Sequence, residues 1–242
     1  MIAQGAGLLT IILAVWTQRV ERRSWMRKLG WIALGTVIAQ GILGGLTVLF
    51  YLPPAISSAH ATLAQTYFCI MISIALFTSR SWVETPALQL PQHERPRTTT
   101  LAYATVAVVW FQLIFGAAFR HNGLKVMWHL AWFLVVLTMI MWLTMRVLRT
   151  HRDVAALRNP AFWLMGLLTL QILLGFGAFV TRVVLSEGST RPLKSLVIFT
   201  VAHVAVGALV LANTVVLAIQ SRRNLLVTKE EVVANSGKAV VA

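Results

Sequence analysis

The chain has 242 residues, 58% hydrophobic and only 12% charged, a balance too apolar for a water-soluble domain of this size. Its formal net charge of +14 would suggest nucleic acid in a soluble protein. Here Lys and Arg fall in the gaps between long apolar runs, so they report membrane topology and no nucleic-acid partner is expected.

Seven runs are long and apolar enough to be expected as transmembrane helices, at about 2–18, 30–50, 57–78, 101–119, 126–147, 161–184 and 193–220. Met1 leads straight into the first run without the basic segment of a cleavable signal peptide. The gaps alternate in charge. Arg19, Arg22, Arg23, Arg27 and Lys28, then Arg80, Arg95 and Arg97, then Arg146, Arg149, Arg152 and Arg158 lie on one side, with Arg222, Arg223, Lys229 and Lys238 in the tail. Only Arg120, Lys125, Arg182, Arg191 and Lys194 lie on the other. Sixteen against five places the C-terminus in the cytoplasm and Met1 outside, in an inner (plasma) membrane surrounded by lipid. The polar tail, marked by Asn235-Ser236-Gly237, is expected to be disordered.

Three of these runs carry one histidine each: His60, His129 and His203. An imidazole within an apolar span is costly in hydrocarbon and normally faces a partner inside the bundle. On the predicted topology all three lie toward the outer face. His129 is four residues past Lys125, roughly 6 Å along a helix, and His203 is nine past Lys194, roughly 13 Å. Similar depth on separate helices is what two ligands of one metal centre need. Trp132, Phe133, Val136 and Ile140 continue the His129 face as a wall for a flat ligand, and Gly207, one turn past His203, allows close approach. His129 and His203 therefore suit bis-imidazole ligation of a haem iron in a helix bundle; the competing reading is two buried histidines hydrogen-bonded to backbone or to Gln and Thr. His60 has no visible partner in its half. It suits a second porphyrin ligand, a catalytic residue, or a polar contact. His93, His121 and His151 lie beside charged residues in loops and read as solvated. Cys69, the single cysteine, lies within a span, so neither an intrachain disulfide nor a Cys-rich metal pattern is available.

A weak internal repeat runs through the chain. Gln40-Gly41-Ile42-Leu43-Gly44 resembles Gln112-Leu113-Ile114-Phe115-Gly116 and Gln171-Ile172-Leu173-Leu174-Gly175, and a histidine-bearing run follows each. Internal repeats in membrane proteins often place function at equivalent points of each half. The last four runs form a complete four-helix unit with histidines on its second and fourth members; the first three form a half-bundle with a histidine on the last. The expected layout is a half-bundle over 1–78, a cytoplasmic linker over 79–100, a four-helix bundle over 101–220 and a tail over 221–242. The fold class is an all-α polytopic membrane protein.

These segments resemble the haem A synthase family. The likeness is carried by Gln40-Gly41-Ile42-Leu43-Gly44-Gly45-Leu46-Thr47-Val48-Leu49, Leu52-Pro53-Pro54, Ser58-Ala59-His60 and Ala64-Gln65, by the basic gap at 19–27, and less richly by Gln112–Ala117, Arg120-His121, His129 and His203. It covers residues 1 to about 220. The resemblance implies eight helices in two pseudo-symmetric halves and an enzyme oxidising the C8 methyl of haem O to the formyl of haem A. It further implies haem b held by His129 and His203 as axial ligands, with His60 as a catalytic residue and iron ligand on the substrate side. Partners implied are haem O synthase and cytochrome oxidase assembly components, with room for a homo-oligomer. The family's first helix, its outer-loop glutamate, and the His-Arg pair opening its second helix have no counterpart here. Glu187, the one acidic residue in an outer gap, is in the wrong gap, and the cysteine pair of some members is absent. The expectation is an N-terminally truncated chain with impaired activity. The alternative is a non-enzymatic bis-histidine b-type cytochrome for electron transfer or haem handling. A repeat-built transporter is disfavoured by the scarcity of intramembrane carboxylates.

Overall fold

A computed structural model describes residues 2–182 and 193–226. Glu187, Arg191 and the tail beyond Leu226 lie outside the described residues. Within them the chain forms eight helices: α1 (Ile2–Val20), α2 (Ser24–Leu49), α3 (Pro54–Thr78), α4 (Arg80–Glu84), α5 (Thr98–Arg120), α6 (Val126–Thr150), α7 (Ala155–Val180) and α8 (Lys194–Asn224). Six of them, α2, α3 and α5 to α8, are long and apolar enough to cross a membrane. The chain is a multi-pass membrane protein. The first predicted span, α1, falls outside this group. It has 19 residues, and Gln4, Gln18 and Arg19 near its ends shorten its apolar stretch.

Local chemistry explains why these runs are helical. Thr17, Thr62, Ser73, Thr105, Thr144 and Thr214 each donate their hydroxyl to the carbonyl one turn back, which hides a polar group that hydrocarbon could not satisfy. Pro54 sits at the first position of α3, where its missing N–H costs nothing. Asn122 ends α5 in the left-handed region at φ 60°, and Gly123 N–H returns to the Ala118 carbonyl at 2.7 Å. The helices outrun the apolar runs, most clearly at α2, whose first turns carry Trp25, Arg27 and Lys28. Basic residues remain good helix formers once past the lipid.

Neighbouring helices pack in chain order, α1 on α2 and α2 on α3; α3 also meets α5 and α8. Among the last four, α5 packs on α6 and α8, and α7 on α6 and α8. Two apolar cores follow. The larger joins Ile140, Leu143, Leu157, Leu164, Leu211 and Leu217, all fully buried, and the smaller centres on Met26, Ala33 and Ile74. Two ends of the molecule can be distinguished. At one, α2, α5 and α7 finish while α3, α6 and α8 begin; this is the histidine end. At the other lie the α1–α2 turn, the segment between α3 and α5, and the end of α8.

The latter is tied together by polar contacts. Arg23 grips Glu21 at 2.7 Å and also reaches the Phe77 carbonyl, and this guanidinium holds the Glu21 carboxyl down to about 2. Arg223 donates to the Trp82 and Thr85 carbonyls, and Gln92 bonds both Thr99 and the Leu226 carbonyl. Leu90 and Leu225 pair as an isolated parallel bridge.

His151 differs from its expected solvated state. It is only 6% exposed, 3.3 Å from the Thr98 hydroxyl and 3.8 Å from Glu94, because the segment before α5 folds over the end of α6. Burial holds its pKa below the ordinary value; Glu94 opposes this and Arg146 adds to it. A histidine with a lowered folded pKa stabilises the fold above its unfolded value, and that contribution is lost as pH falls below about 6.5. Thermal melts in detergent between pH 7 and 5 should therefore show a declining midpoint, and His151→Gln should flatten the decline.

Candidate functional site

The three membrane histidines occupy equivalent seats. His60 on α3 lies over Gly44 of α2, where a Cβ would stand 3.1 Å from the imidazole Cε1. His129 on α6 lies over Gly116 of α5, with the same distance 3.0 Å, and His203 on α8 lies over Gly175 of α7 at 2.9 Å. Contacts this short leave space for glycine and for no other residue without displacement of the ring. In each helix a glutamine stands four residues before the glycine, one turn earlier on the same face. Gln171 Nε2 is 3.2 Å from His203 Nε2, and Gln112 Nε2 donates to the His129 carbonyl at 3.1 Å while lying 3.5 Å from His129 Nε2.

His203 is held most firmly. Its Nδ1 donates to the Gln171 backbone carbonyl at 3.1 Å, which leaves Nε2 as the nitrogen with a free lone pair. Such a bond is the usual device for fixing the tautomer of a metal-binding histidine. The His129 and His203 rings lie edge to face, their centres 6.2 Å apart and their planes at 79°. Two nitrogen–metal bonds of about 2 Å each would place two imidazole centres about 6 Å apart with the metal between them. By separation, the pair could hold one metal between two imidazoles. Trp132 donates to the Val108 carbonyl and packs against the larger apolar core, in which Val136 and Ile140 are buried.

Unpartnered buried polar atoms gather here. Of nine among the described residues, seven belong to these seats or lie within two turns of them: Gln40, Gln112 and Gln171 Oε1, His60 and His129 Nδ1, Ser57 Oγ and Gln65 Oε1. Buried polar groups are nearly always satisfied, so such a concentration makes this end the candidate site for a ligand with polar features.

Comparison with known families matches residues 1–128 to COX15-CtaA, described as cytochrome oxidase assembly protein. The chain belongs to this family. No match is found among curated proteins or among solved structures. The COX15-CtaA match contains the His60 seat and the Gln112–Gly116 step, but stops one residue before His129. What joins the His129 and His203 seats to it is the repeated geometry. This family is one of haem A synthases, enzymes acting on haem O and haem A, and a role in cytochrome oxidase assembly and haem A synthesis follows for this member.

Other groups of this COX15-CtaA member lie at the histidine end. His121, expected to be solvated, is half-buried where the α5–α6 loop lies against Pro54 at the start of α3. Burial first, then Arg120 and His60, hold its pKa below the ordinary value, so it shares an electrostatic environment with His60. Nothing in the spacing could have paired residues 60 and 121; the pairing comes from α3 packing on α5. Arg182 lies over the Phe119 ring at 4.7 Å. Arg120, Lys125 and Lys194 are exposed. Glu21, Glu84, Glu94 and Asp153, the acidic residues among those described, all lie at the opposite end. Three or more His, Cys, Asp or Glu gathered for a bare metal ion are not found among the described residues.

Proposed function

We propose that this chain works as a haem A synthase, a membrane oxidoreductase converting the C8 methyl of haem O to the formyl of haem A. The observation that carries the reading is the His129–His203 pair, two imidazoles at metal-bridging separation in matching glycine seats. On this reading α1 also crosses the membrane, giving seven spans, and the C-terminus is cytoplasmic. Residues 1–78 form the substrate side, 79–100 a cytoplasmic linker, and 101–220 the four-helix bundle for haem b. Haem b, when bound, supplies a one-electron redox centre.

The chain's own groups do the rest. His129 and His203 each offer a ring nitrogen to iron, and the Gln171 carbonyl keeps the His203 proton on Nδ1. Trp132, Val136 and Ile140 keep water from the pair. His60 offers an imidazole to the substrate porphyrin, with Gly44 beneath it and His121 close by. Arg120, Lys125 and Lys194 provide positive charge at the mouth for carboxylates. Haem O synthase and oxidase assembly components are the partners this reading implies.

The placing of every described carboxylate at the opposite end favours a second reading, a non-enzymatic b-type cytochrome. Both make the same first demand. The chain purified in detergent should give a low-spin b-type signal in reduced-minus-oxidised spectra, quantified as pyridine haemochrome. That signal should vanish in His129→Ala and in His203→Ala and persist in His60→Ala. Haem indifferent to the first two substitutions would return these histidines to packing roles, and turnover of added haem O separates the enzyme from the cytochrome.

A further inference from the structure

The haem reading leaves the repeated glutamines unexplained. We propose that Gln171 is a displaceable cap on the iron-binding nitrogen of His203, and that Gln112 is a weaker cap on His129. This rests on the bis-histidine reading and adds a residue type to it. With the His203 proton on Nδ1, bonded to the Gln171 carbonyl, Nε2 presents only a lone pair. The Gln171 side chain points a nitrogen at it from 3.2 Å. An amide turned the other way would set two lone pairs against each other, so the N–H side must face the ring. The same N–H occupies the position from which iron must approach.

Three further observations distinguish a displaceable cap from an ordinary structural bond. First, the amide is only half satisfied, since Gln171 Oε1 is buried without a partner. A glutamine kept for packing would be expected to satisfy both ends. Second, the amide occupies a niche that a missing side chain provides. A Cβ on Gly207 would stand 3.1 Å from Gln171 Nε2. Gly207, read from the sequence as room for a porphyrin, makes room for this amide. Third, the arrangement recurs with graded strength. Gln112 spends its N–H chiefly on the His129 carbonyl and lies 3.5 Å from Nε2, and Gln112 Oε1 is likewise unpartnered. No hydrogen bond joins Gln40 to His60 among the described contacts, although Gly44 and His60 repeat the seat.

The physical purpose follows from the surroundings. A bare imidazole lone pair within a helix bundle in lipid has no water to accept from, and an unsatisfied buried acceptor is expensive. The cap satisfies Nε2 and holds the ring aimed until iron takes its place, and the backbone bond at Nδ1 survives the exchange. Binding therefore costs one hydrogen bond at Gln171, less at Gln112 and none at Gln40.

The test uses the full chain in detergent, stripped of haem and titrated with ferric haem, with association followed by stopped flow. Gln171→Leu keeps the bulk and removes the donor. It should bind haem about three- to tenfold more tightly, the equivalent of one net hydrogen bond no longer broken. Gln112→Leu should gain less, and Gln40→Leu should leave the second-half spectrum and affinity unchanged. A purely structural glutamine predicts the opposite sign, because its loss would loosen the seat and weaken binding. Unchanged or weaker haem binding by Gln171→Leu, in protein whose circular dichroism and melting match the parent, overturns the cap. Should that variant not fold, Gln171→Ile serves in its place on the same criteria. Haem loss in His203→Ala alongside parent-like binding by Gln171→Leu sinks the cap alone. Haem retained in His203→Ala sinks the bis-histidine reading beneath it.

Discussion

Gly175→Ala should strip iron from the His203 seat while leaving the helices folded. The added Cβ would stand 2.9 Å from His203 Cε1 and 3.2 Å from Nδ1, so the ring must retreat by several tenths of an ångström. It cannot do so freely, because Nδ1 is tied to the Gln171 carbonyl. Metal–ligand distances tolerate only about 0.2 Å. Overpacking of this kind costs about 1–3 kcal/mol, or about five- to 150-fold in affinity when the strained group is the ligand itself. Gly116→Ala, at 3.0 Å from His129 Cε1, should behave in the same way. Gly166→Ala is the control. Nothing lies within 4 Å of its Cβ position, and alanine is the better helix former, so haem content should hold and stability should not fall. Gly44→Ala should leave the second-half spectrum intact, since the atoms nearest its Cβ belong to His60. Pyridine haemochrome yield per protein, read beside the melting midpoint, measures all four. Equal haem content in Gly175→Ala and Gly166→Ala would show that the seat tolerates a methyl group.

The helices and the pairing of His129 with His203 were legible in the sequence because both depend on one-dimensional information. Apolar length defines a span, and distance from the last basic residue gives depth. The Gln–x–x–x–Gly step was visible as a repeat, but its meaning was not. A glycine seat is a contact between two helices, and spacing along one helix cannot show what lies opposite. Gly207 illustrates the limit, since the sequence predicted close approach and the structure supplies the approaching group, an amide from α7. His121 and His151 were misread for the same reason. Charged neighbours in sequence suggested water, whereas α3 in one case and the segment before α5 in the other cover them. The short helix α4 and the contacts of Arg223 with Trp82 and Thr85 carry no sequence periodicity at all.

The two cores also bear on how the halves hold together. In the second half α5 touches both α6 and α8, and neither α6·α8 nor α5·α7 is a packed pair. In the first half the backbone of α1 approaches that of α2, and α1 reaches α3 through side chains, the Thr10 hydroxyl meeting that of Tyr67. The closest approach in this half is the α1–α2 crossing, and the smallest residue at that crossing, Gly30, governs it.

Gly30→Ala should loosen α1 from α2, and Thr17→Ala in the same chain should restore it. A Cβ on Gly30 would come within 2.5 Å of the Thr17 hydroxyl and 3.5 Å of the Ala14 Cα. Ala14 and Thr17 are almost fully buried, so the helices meet through small residues, as close crossings in membranes require. The Thr17 hydroxyl has no mobile tip to move aside, because it bonds the Leu13 and Ala14 carbonyls of its own helix. The single Gly30→Ala change should cost about 1–3 kcal/mol of helix docking. Thr17→Ala alone removes a bond local to α1 and should cost less. With the hydroxyl gone, the nearest atom to the new methyl group is the Ala14 Cα at 3.5 Å, an ordinary contact. The double variant should then melt close to Thr17→Ala, giving a favourable coupling of the same size as the single penalty. Additive losses in the cycle would mean that α1 meets α2 through other residues. Because the His129–His203 pair belongs to helices that α1 does not touch, the second-half haem signal should survive in every member of the cycle, so that docking of α1 and haem binding can be scored independently.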